Sequence, residues 1–267
     1  MVKGPSFEAV WASVRGSAST PGPGWGVPEA EGILVRGDEL PPEYVVAGHI
    51  IEASSLNRVP EGTSYRVEIG TELDGDIRLF GRSFWDVLKE DLPEELRFTA
   101  GMGKASRITY SDRYLRSPLS VRLLYETLVG LKDLGLVDAL GTDIKVVTSY
   151  PRSHGSPQLL SDDWTDPSQS RQVLEGLCSG LGVGVQMRHC TYRDIRHSRT
   201  MTVHLPGRRV VIDLDQGFGF WRTGRQQVFD FEASIDCQVD MLRNTRFRVV
   251  TNPGTATRVY VGANTTV

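Results

Sequence analysis

Residues 196–221 read RHSRTMTVHLPGRRVVIDLDQGFGFW. Residues 200–205 and 210–214 predict two strands, which a glycine-rich turn follows. His197 and Arg199 are two positions apart, so on an extended strand both side chains point to one face and can converge on one anion. A guanidinium can hold a phosphoryl group with two donors, and an imidazole can act as a nucleophile, an acid or a donor. The pair therefore predicts a phosphate-binding site.

Strands and helices alternate in the segment before this stretch. The predicted elements are strands at residues 108–115, 144–150 and 183–190 and helices at residues 118–134 and 166–181. Each helix starts after a capping side chain, Ser117 or Asp166, and a proline that favours the first helical turn follows directly. Strands that alternate with helices in this way predict a layered α/β domain.

The first hundred residues have a different character. Residues 17–28 are rich in proline and glycine and predict a loop. Strands are predicted at residues 32–36, 44–53 and 64–70. Apolar residues at helical spacing predict a helix at residues 83–91, capped by Ser83. We therefore expect a small β-rich N-terminal module at residues 1–104 and the α/β domain at residues 105–267.

Three further segments carry a resemblance to a known family. Residues 107–118 read RITYSDRYLRSP, residues 217–221 read GFGFW, and residues 229–239 predict another strand. With the His-x-Arg pair they resemble the C-terminal phospholipase D-like domain of MIT-domain proteins, which act with the ESCRT machinery. The matching positions are Asp112, Tyr114, Leu115, His197, Arg199 and the turn at residues 215–220. Over roughly residues 105–250, this resemblance implies a phospholipase D-like layered domain with a mixed sheet and flanking helices.

The chain also departs from this family. Ser198 and Gly219 stand where the family has aspartates, and nothing before about residue 100 resembles a MIT helical bundle. Catalytic phospholipase D enzymes use two copies of His-x-Lys-x4-Asp, whereas this chain has one, with Arg199 for the lysine and His204 for the aspartate. The resemblance thus implies phosphate binding without turnover, and His197 is catalytic only if the protein is active. Such a phosphodiesterase or nuclease would need no divalent metal, because no carboxylate cluster resembles a two-metal site.

Ligand sites in α/β sheets gather beyond the carboxyl ends of the strands. Three groups fall there, namely residues 111–113, residues 149–154 and the region of His197. For Asp112 and Arg113 the alternative is an ion pair or a helix-entry cap, and residues 149–154 could be a plain solvated turn. The predicted ligand-binding residues are Arg199, Asp112, Arg113, Arg152, His154 and His204.

Composition limits the classes of protein to which the chain can belong. A net charge of -3 over 267 residues argues against attachment to nucleic acid or lipid by bulk electrostatics. Cys178, Cys190 and Cys237 form no CxxC pair, which argues against a zinc site and a disulfide framework. The sequence has neither an apolar run of bilayer length nor the layout of a signal peptide. We expect a cytoplasmic protein without a cofactor or a metal.

Basic residues crowd the region of the His-x-Arg pair. They are Arg188, Arg193, Arg196, Arg199, Arg208, Arg209, Arg222 and Arg225. This local charge predicts an anionic partner, although solvated strand edges are the alternative. One hypothesis is a DNA- or RNA-binding subunit of a prokaryotic assembly, such as one for anti-phage defence. The resemblance implies another, the binding of anionic phospholipid head groups at membranes.

A third hypothesis concerns a protein partner. The chain could be a structural subunit that docks on a helicase-like protein, or it could form a homodimer. Trp11, Trp25 and Trp85 are the candidate aromatic anchors for such a contact, although each is also a candidate for the core.

Overall fold

The computed structural model describes residues 33–35, 50–52, 64–139, 141–151, 158–195, 197 and 199–265. The chain divides into two compact units, Met1–Glu61 and Gly62–Val267. In the first unit the described residues form two strands, β1 (Ile33–Val35) and β2 (Ile50–Glu52), which pair in parallel. The proline- and glycine-rich loop predicted at residues 17–28 lies outside the described residues.

A mixed sheet of seven strands organises the second unit. Its strands in spatial order are β3 (Ser64–Ile69), β12 (Thr257–Thr265), β9 (Arg208–Leu214), β8 (Arg199–Leu205), β5 (Arg107–Ser111), β6 (Asp143–Ser149) and β7 (Val185–Cys190). The strands β5, β6 and β7 run parallel, and every other neighbouring pair is antiparallel. A small antiparallel sheet joins β10 (Arg222–Thr223), β11 (Arg248–Val250) and β4 (Gly75–Asp76). The α/β class is therefore confirmed.

Four α-helices accompany these sheets in the described part of the chain. They are α1 (Phe80–Asp91), α2 (Pro118–Asp133), α3 (Pro167–Ser179) and α4 (Ile235–Asn244). The hydroxyl of Ser117 accepts the backbone N–H of Ser120 at 3.2 Å, and the carboxylate of Asp166 accepts that of Ser168 at 2.7 Å. Both predicted caps are confirmed, because each satisfies an N–H group that the first helical turn leaves unpaired.

The large sheet buries one of its faces. Ile108 and Tyr110 on β5 lie opposite Val203 and Met201 on β8, and all four side chains are buried. On the other face Thr109 lies opposite Thr202, and both are only half-buried. This alternation is what a strand produces when it packs on a core with one face alone. We call the polar side the open face.

Helix packing fixes part of this core. The helices α1 and α2 cross so closely that a Cβ on Gly81 would lie 1.7 Å from the carbonyl oxygen of Glu126. Trp85 is 2 % exposed and its indole N–H donates to the carbonyl of Thr127 at 2.9 Å. Trp85 is therefore a core residue and cannot serve as a docking anchor, and the candidate anchors Trp11 and Trp25 lie outside the described residues.

Three predicted elements differ in the structure. The strand predicted at residues 108–115 ends at Ser111, because a turn follows at residues 113–116. The helix predicted to start at Ser83 begins at Phe80, because a 3-10 turn at Ile77–Leu79 leads directly into it and Asp76 caps that turn. The strand predicted at residues 229–239 is wrong, since α4 occupies the second half of this region. The hydroxyl of Ser234 accepts an N–H group of its first turn at 3.3 Å. That local cap starts a helix in the region where a strand was expected.

The second compact unit starts at Gly62, whereas the domain boundary expected from the sequence after residue 104 stays a prediction. The reason for this start is that β3 pairs with β12, so Ile69 lies beside Thr257 in the same sheet. In the described part of the chain no helix is both long and apolar enough to cross a membrane.

Candidate functional site

The ends of four strands meet at one edge of the large sheet. The parallel strands β5, β6 and β7 finish there, and β8 begins there because it runs antiparallel to β5. We call this region the carboxyl edge. It carries Arg113, Tyr114, Tyr150, Arg171, Arg188, His189, Tyr192, Arg193 and His197 around the buried pair of Asp112 and Arg199. Two of the three strand-end groups singled out in the sequence thus come together, along with the start of the third.

Asp112 is the buried anchor of this edge. Its side chain is 1 % exposed and accepts the hydroxyl of Tyr110 at 2.9 Å and the backbone N–H of Tyr114 at 2.8 Å. The Nε atom of Arg199 lies 3.7 Å from the same carboxylate, which makes an ion pair without a close hydrogen bond. Burial raises the pKa of Asp112, and these hydrogen bonds and the guanidinium of Arg199 oppose that rise.

Arg199 is held on several sides. Its side chain is 13 % exposed, and its guanidinium donates to the backbone carbonyl of Asp215. The ring of Tyr114 covers it, with 4.8 Å between the guanidinium carbon and the ring centroid. Gly217 packs so closely that a Cβ there would lie 2.3 Å from Cδ of Arg199. Arg199 thus ties the turn after β9 to the end of β5.

Aromatic and basic side chains form the outer layer over this pair. The hydroxyls of Tyr114 and Tyr192 lie 2.7 Å apart, and this hydrogen bond raises the pKa of Tyr114. The guanidinium carbon of Arg113 lies 4.6 Å from the ring centroid of Tyr192, a cation–π contact. The exposed ring of His197 meets Tyr114 edge-on at 6.5 Å. The layer therefore combines partly exposed aromatic rings with positive charge.

A second group lies farther along the same edge. Tyr150 is 52 % exposed, and its ring lies 5.9 Å from that of His189 at an interplanar angle of 31°. These two rings and the first turn of α3 border a recess of about 270 Å³. Its lining residues are Tyr150, Pro167, Ser168, Arg171, Met187, Arg188 and His189. Burial, and then the charge of Arg171, lowers the pKa of His189, so its imidazole is neutral at neutral pH.

The structure places the predicted site residues in three ways. Asp112, Arg113, His197 and Arg199 come together around Tyr114. His204 lies at the far end of β8, about 17 Å from Arg199 by the rise of a strand, and on the open face. Arg152 and His154 lie outside the described residues. The ligand-binding role of all these residues, and the catalytic role of His197, stay predictions.

Sequence reasoning missed Tyr192, His189 and Arg171. Tyr192 follows β7 after one residue, so the strand-end rule that singled out Asp112 could have found it. His189 and Arg171 could not be linked from the sequence, because they lie on a strand and a helix that meet only in the folded chain. The hydroxyl of Ser170, next to Arg171 on α3, lies 3.2 Å from Nε2 of His189. Among the residues that the structure describes, no group of three or more His, Cys, Asp or Glu side chains could hold a metal ion.

A comparison with family models gives a match over residues 63–263, which runs from the start of β3 into β12 and covers most of the chain. The family is described as the C-terminal domain of the DEAD/DEAH box helicase YjiV. The chain belongs to this family. The resemblance to the phospholipase D-like domain of MIT-domain proteins is therefore wrong, because it rested on short motifs and the YjiV C-terminal domain family matches the whole sheet. No curated protein matches the chain.

Proposed function

We propose that this chain is a non-catalytic accessory domain that binds single-stranded nucleic acid at its carboxyl edge and works with a helicase motor. The family description supports the link to a helicase. The observation that carries the proposal is the pairing of exposed tyrosines with arginines along one edge of the sheet. Tyr150 is 52 % exposed and Tyr192 is 37 % exposed.

The chemistry of this edge fits an unpaired strand. Aromatic rings stack on bases at about 1–3 kcal/mol per base, and this works only where the bases are not already stacked in a duplex. Arg171, Arg188 and Arg193 are exposed beside these rings and can contact phosphates. Asp112 is buried against Arg199, and Asp163 pairs with Arg116 at 3.1 Å. Asp166 and Asp194 are exposed at the same edge, so the three exposed arginines share it with two carboxylates.

Turnover is not part of the proposal. A histidine that attacks phosphorus needs a cation on the phosphoryl oxygens and an acid for the leaving group. Arg199, two positions after His197, already donates to the carbonyl of Asp215 and lies beside Asp112. His204, which stands at the aspartate position of the phospholipase D signature, lies at the other end of β8. This arrangement favours binding over cleavage.

Replacing Tyr192 with alanine should weaken binding of a single-stranded oligonucleotide by about tenfold, because one stacking surface is lost. Fluorescence anisotropy with labelled DNA and RNA at several salt concentrations measures this effect. Affinity of the native protein should fall steeply with salt, since arginine–phosphate contacts release counterions. Leu79→Ala is the control, because Leu79 is a similarly exposed apolar side chain, at 56 %, in the turn before α1.

Three results would count against this proposal. One is that the native protein binds neither single-stranded DNA nor single-stranded RNA at low salt. Another is that Tyr192→Ala and Leu79→Ala bind equally well. Preference for duplex over single strands would also contradict it, because the tyrosines would then have no bases to stack on.

The open face favours a second function, which is docking on the helicase motor itself. Thr109, Thr202 and Val211 form one row across three strands of this face, and Ser111, Thr200 and Asp213 form the next. These short side chains include no aromatic ring on which a base could stack, so this face suits a contact with a protein better than one with single-stranded nucleic acid. A domain that only docks would bind no oligonucleotide by itself, so the binding experiment above separates the two functions.

A further inference from the structure

We infer that the recess between Tyr150, His189 and the first turn of α3 binds the phosphorylated end of a nucleic-acid strand. This inference rests on the proposed function and specifies what the carboxyl edge recognises. A terminal phosphate carries more charge than an internal one and lies at the end of the strand. The recess matches the first property by its arginines and the second by its position.

The recess lies where the sheet ends. Among the strands of the large sheet, β7 pairs with β6 and stands last in the order, whereas β5 and β6 each have two neighbours. A nucleic-acid strand bound along Tyr114, Tyr192 and Tyr150 would therefore reach the last β-strand of the sheet at β7. The position suits the last nucleotide of a strand better than an internal one.

The charge of the recess suits a monoester. Arg171 and Arg188 line it, and none of its lining residues is acidic. Within the described residues neither arginine forms an ion pair with a carboxylate, and Nε of Arg188 donates to Sγ of Cys190 at 3.2 Å. Both guanidinium groups therefore keep their charge and further N–H donors for a ligand. A terminal phosphate carries about two negative charges at neutral pH, whereas an internal phosphodiester carries one. Two guanidinium groups match the terminal phosphate.

The helix itself supplies little of this attraction. The carboxylate of Asp166 accepts the backbone N–H and the hydroxyl of Ser168, each at 2.7 Å, and so occupies the start of α3. The guanidinium side chains must therefore hold the phosphate. Arg171 is exposed on the first turns of α3, and Arg188 is exposed on β7.

The size and the walls of the recess fit one nucleotide. Its volume of about 270 Å³ is just under the roughly 300–1,000 Å³ of sites for drug-sized ligands. Tyr150 and His189 form the wall against which a terminal base can stack. Because Arg171 and burial keep His189 neutral at neutral pH, this contact is stacking rather than a charge pair.

The test compares oligonucleotides of one sequence that carry a 5′-phosphate, a 3′-phosphate or hydroxyls at both ends. The native protein should bind one phosphorylated form about tenfold more tightly than the hydroxyl form, as expected for charge-assisted hydrogen bonds. Arg171→Ala and Arg188→Ala should each weaken binding of all three oligonucleotides, because both arginines can contact internal phosphates, but should weaken binding of the preferred phosphorylated form by a larger factor and so remove most of the preference. Arg82→Ala removes one exposed positive charge from α1 and should keep the preference.

The outcomes separate this inference from the proposed function. A preference for either phosphorylated end that depends on Arg171 supports the inference, and the preferred end gives the polarity of the bound strand. Binding of all three oligonucleotides with equal affinity would overturn the inference and leave the proposed function intact. A preference that survives in both arginine variants would also overturn it. Failure to bind any of the three would overturn the proposed function as well.

Discussion

Replacing Asp112 with alanine should lower the free energy of unfolding by about 3 kcal/mol or more. The substitution leaves the guanidinium of Arg199, on a side chain that is 13 % exposed, without its charge partner. It also removes the acceptor of the Tyr110 hydroxyl and of the Tyr114 backbone N–H. A buried charge and buried donors without partners are among the most destabilising changes a single substitution can make.

Urea unfolding followed by tryptophan fluorescence measures this loss, because Trp164 and Trp221 are buried. Asp143→Ala is the matched control, since Asp143 pairs with Arg107 at 3.2 Å but both side chains are well exposed. Such surface pairs contribute about 0–1 kcal/mol. Asp112→Asn keeps one acceptor oxygen, so its loss of unfolding free energy should lie between those of Asp112→Ala and Asp143→Ala. If Asp112→Ala costs no more than Asp143→Ala, the buried pair does not stabilise the carboxyl edge.

Local signals in the sequence predicted much of the α/β unit. Ser117 and Asp166 fix the starts of α2 and α3 through side-chain contacts within three residues, and such contacts can be recognised in any short window of sequence. The pairing of β3 with β12 has no such signal, because it joins residues almost two hundred positions apart. Strand order in a sheet depends on these distant pairings, so neither the sheet order nor the start of the unit at Gly62 could be predicted.

The candidate site could also be predicted from the sequence only in part. The rule that ligand sites lie at strand ends predicted that Asp112, Arg113 and His197 lie at one edge of the sheet, and the structure places them there. Strand periodicity gives the face to which Arg199 points, but it does not reveal that a carboxylate lies opposite. Arg199 was therefore expected to meet a phosphate, whereas the structure places it beside Asp112. The contacts between Tyr150 and His189 link two strands and were equally hidden.

This arrangement gives the edge two layers with different tasks. The inner layer of Asp112, Arg199 and the turn at Gly217 is closely packed and hardly accessible. The outer layer presents Tyr192 to solvent, and Tyr150 is exposed farther along the same edge beside Arg171 and Arg188. A rigid inner layer holds the outer side chains in place, and so limits the entropy that they would lose on binding a flexible strand. Damage to the inner layer should therefore reduce both stability and binding.

Replacing Gly217 with alanine tests the inner layer from the other side and should destabilise the unit by about 2–5 kcal/mol. Gly217 has φ +56°, a left-handed conformation that costs a residue with a Cβ about 1–2 kcal/mol. The new Cβ would also lie 2.3 Å from Cδ of Arg199 and 2.8 Å from Oδ2 of Asp112. Neither neighbour can move freely, because each is held by further contacts, so overpacking adds about 1–3 kcal/mol.

Two other glycines of the chain separate these contributions. Gly207 has φ +70° and open space around its Cβ position, so Gly207→Ala should cost only the backbone part, about 1–2 kcal/mol. Gly219 lies in the same turn as Gly217 without a positive φ and with open space, so Gly219→Ala should be close to neutral. Urea unfolding of the three variants should therefore rank Gly217→Ala as the least stable and Gly219→Ala as the most stable. Equal losses of unfolding free energy for Gly217→Ala and Gly207→Ala would mean that Arg199 and Asp112 move aside without an energetic cost. That result would contradict a rigid inner layer.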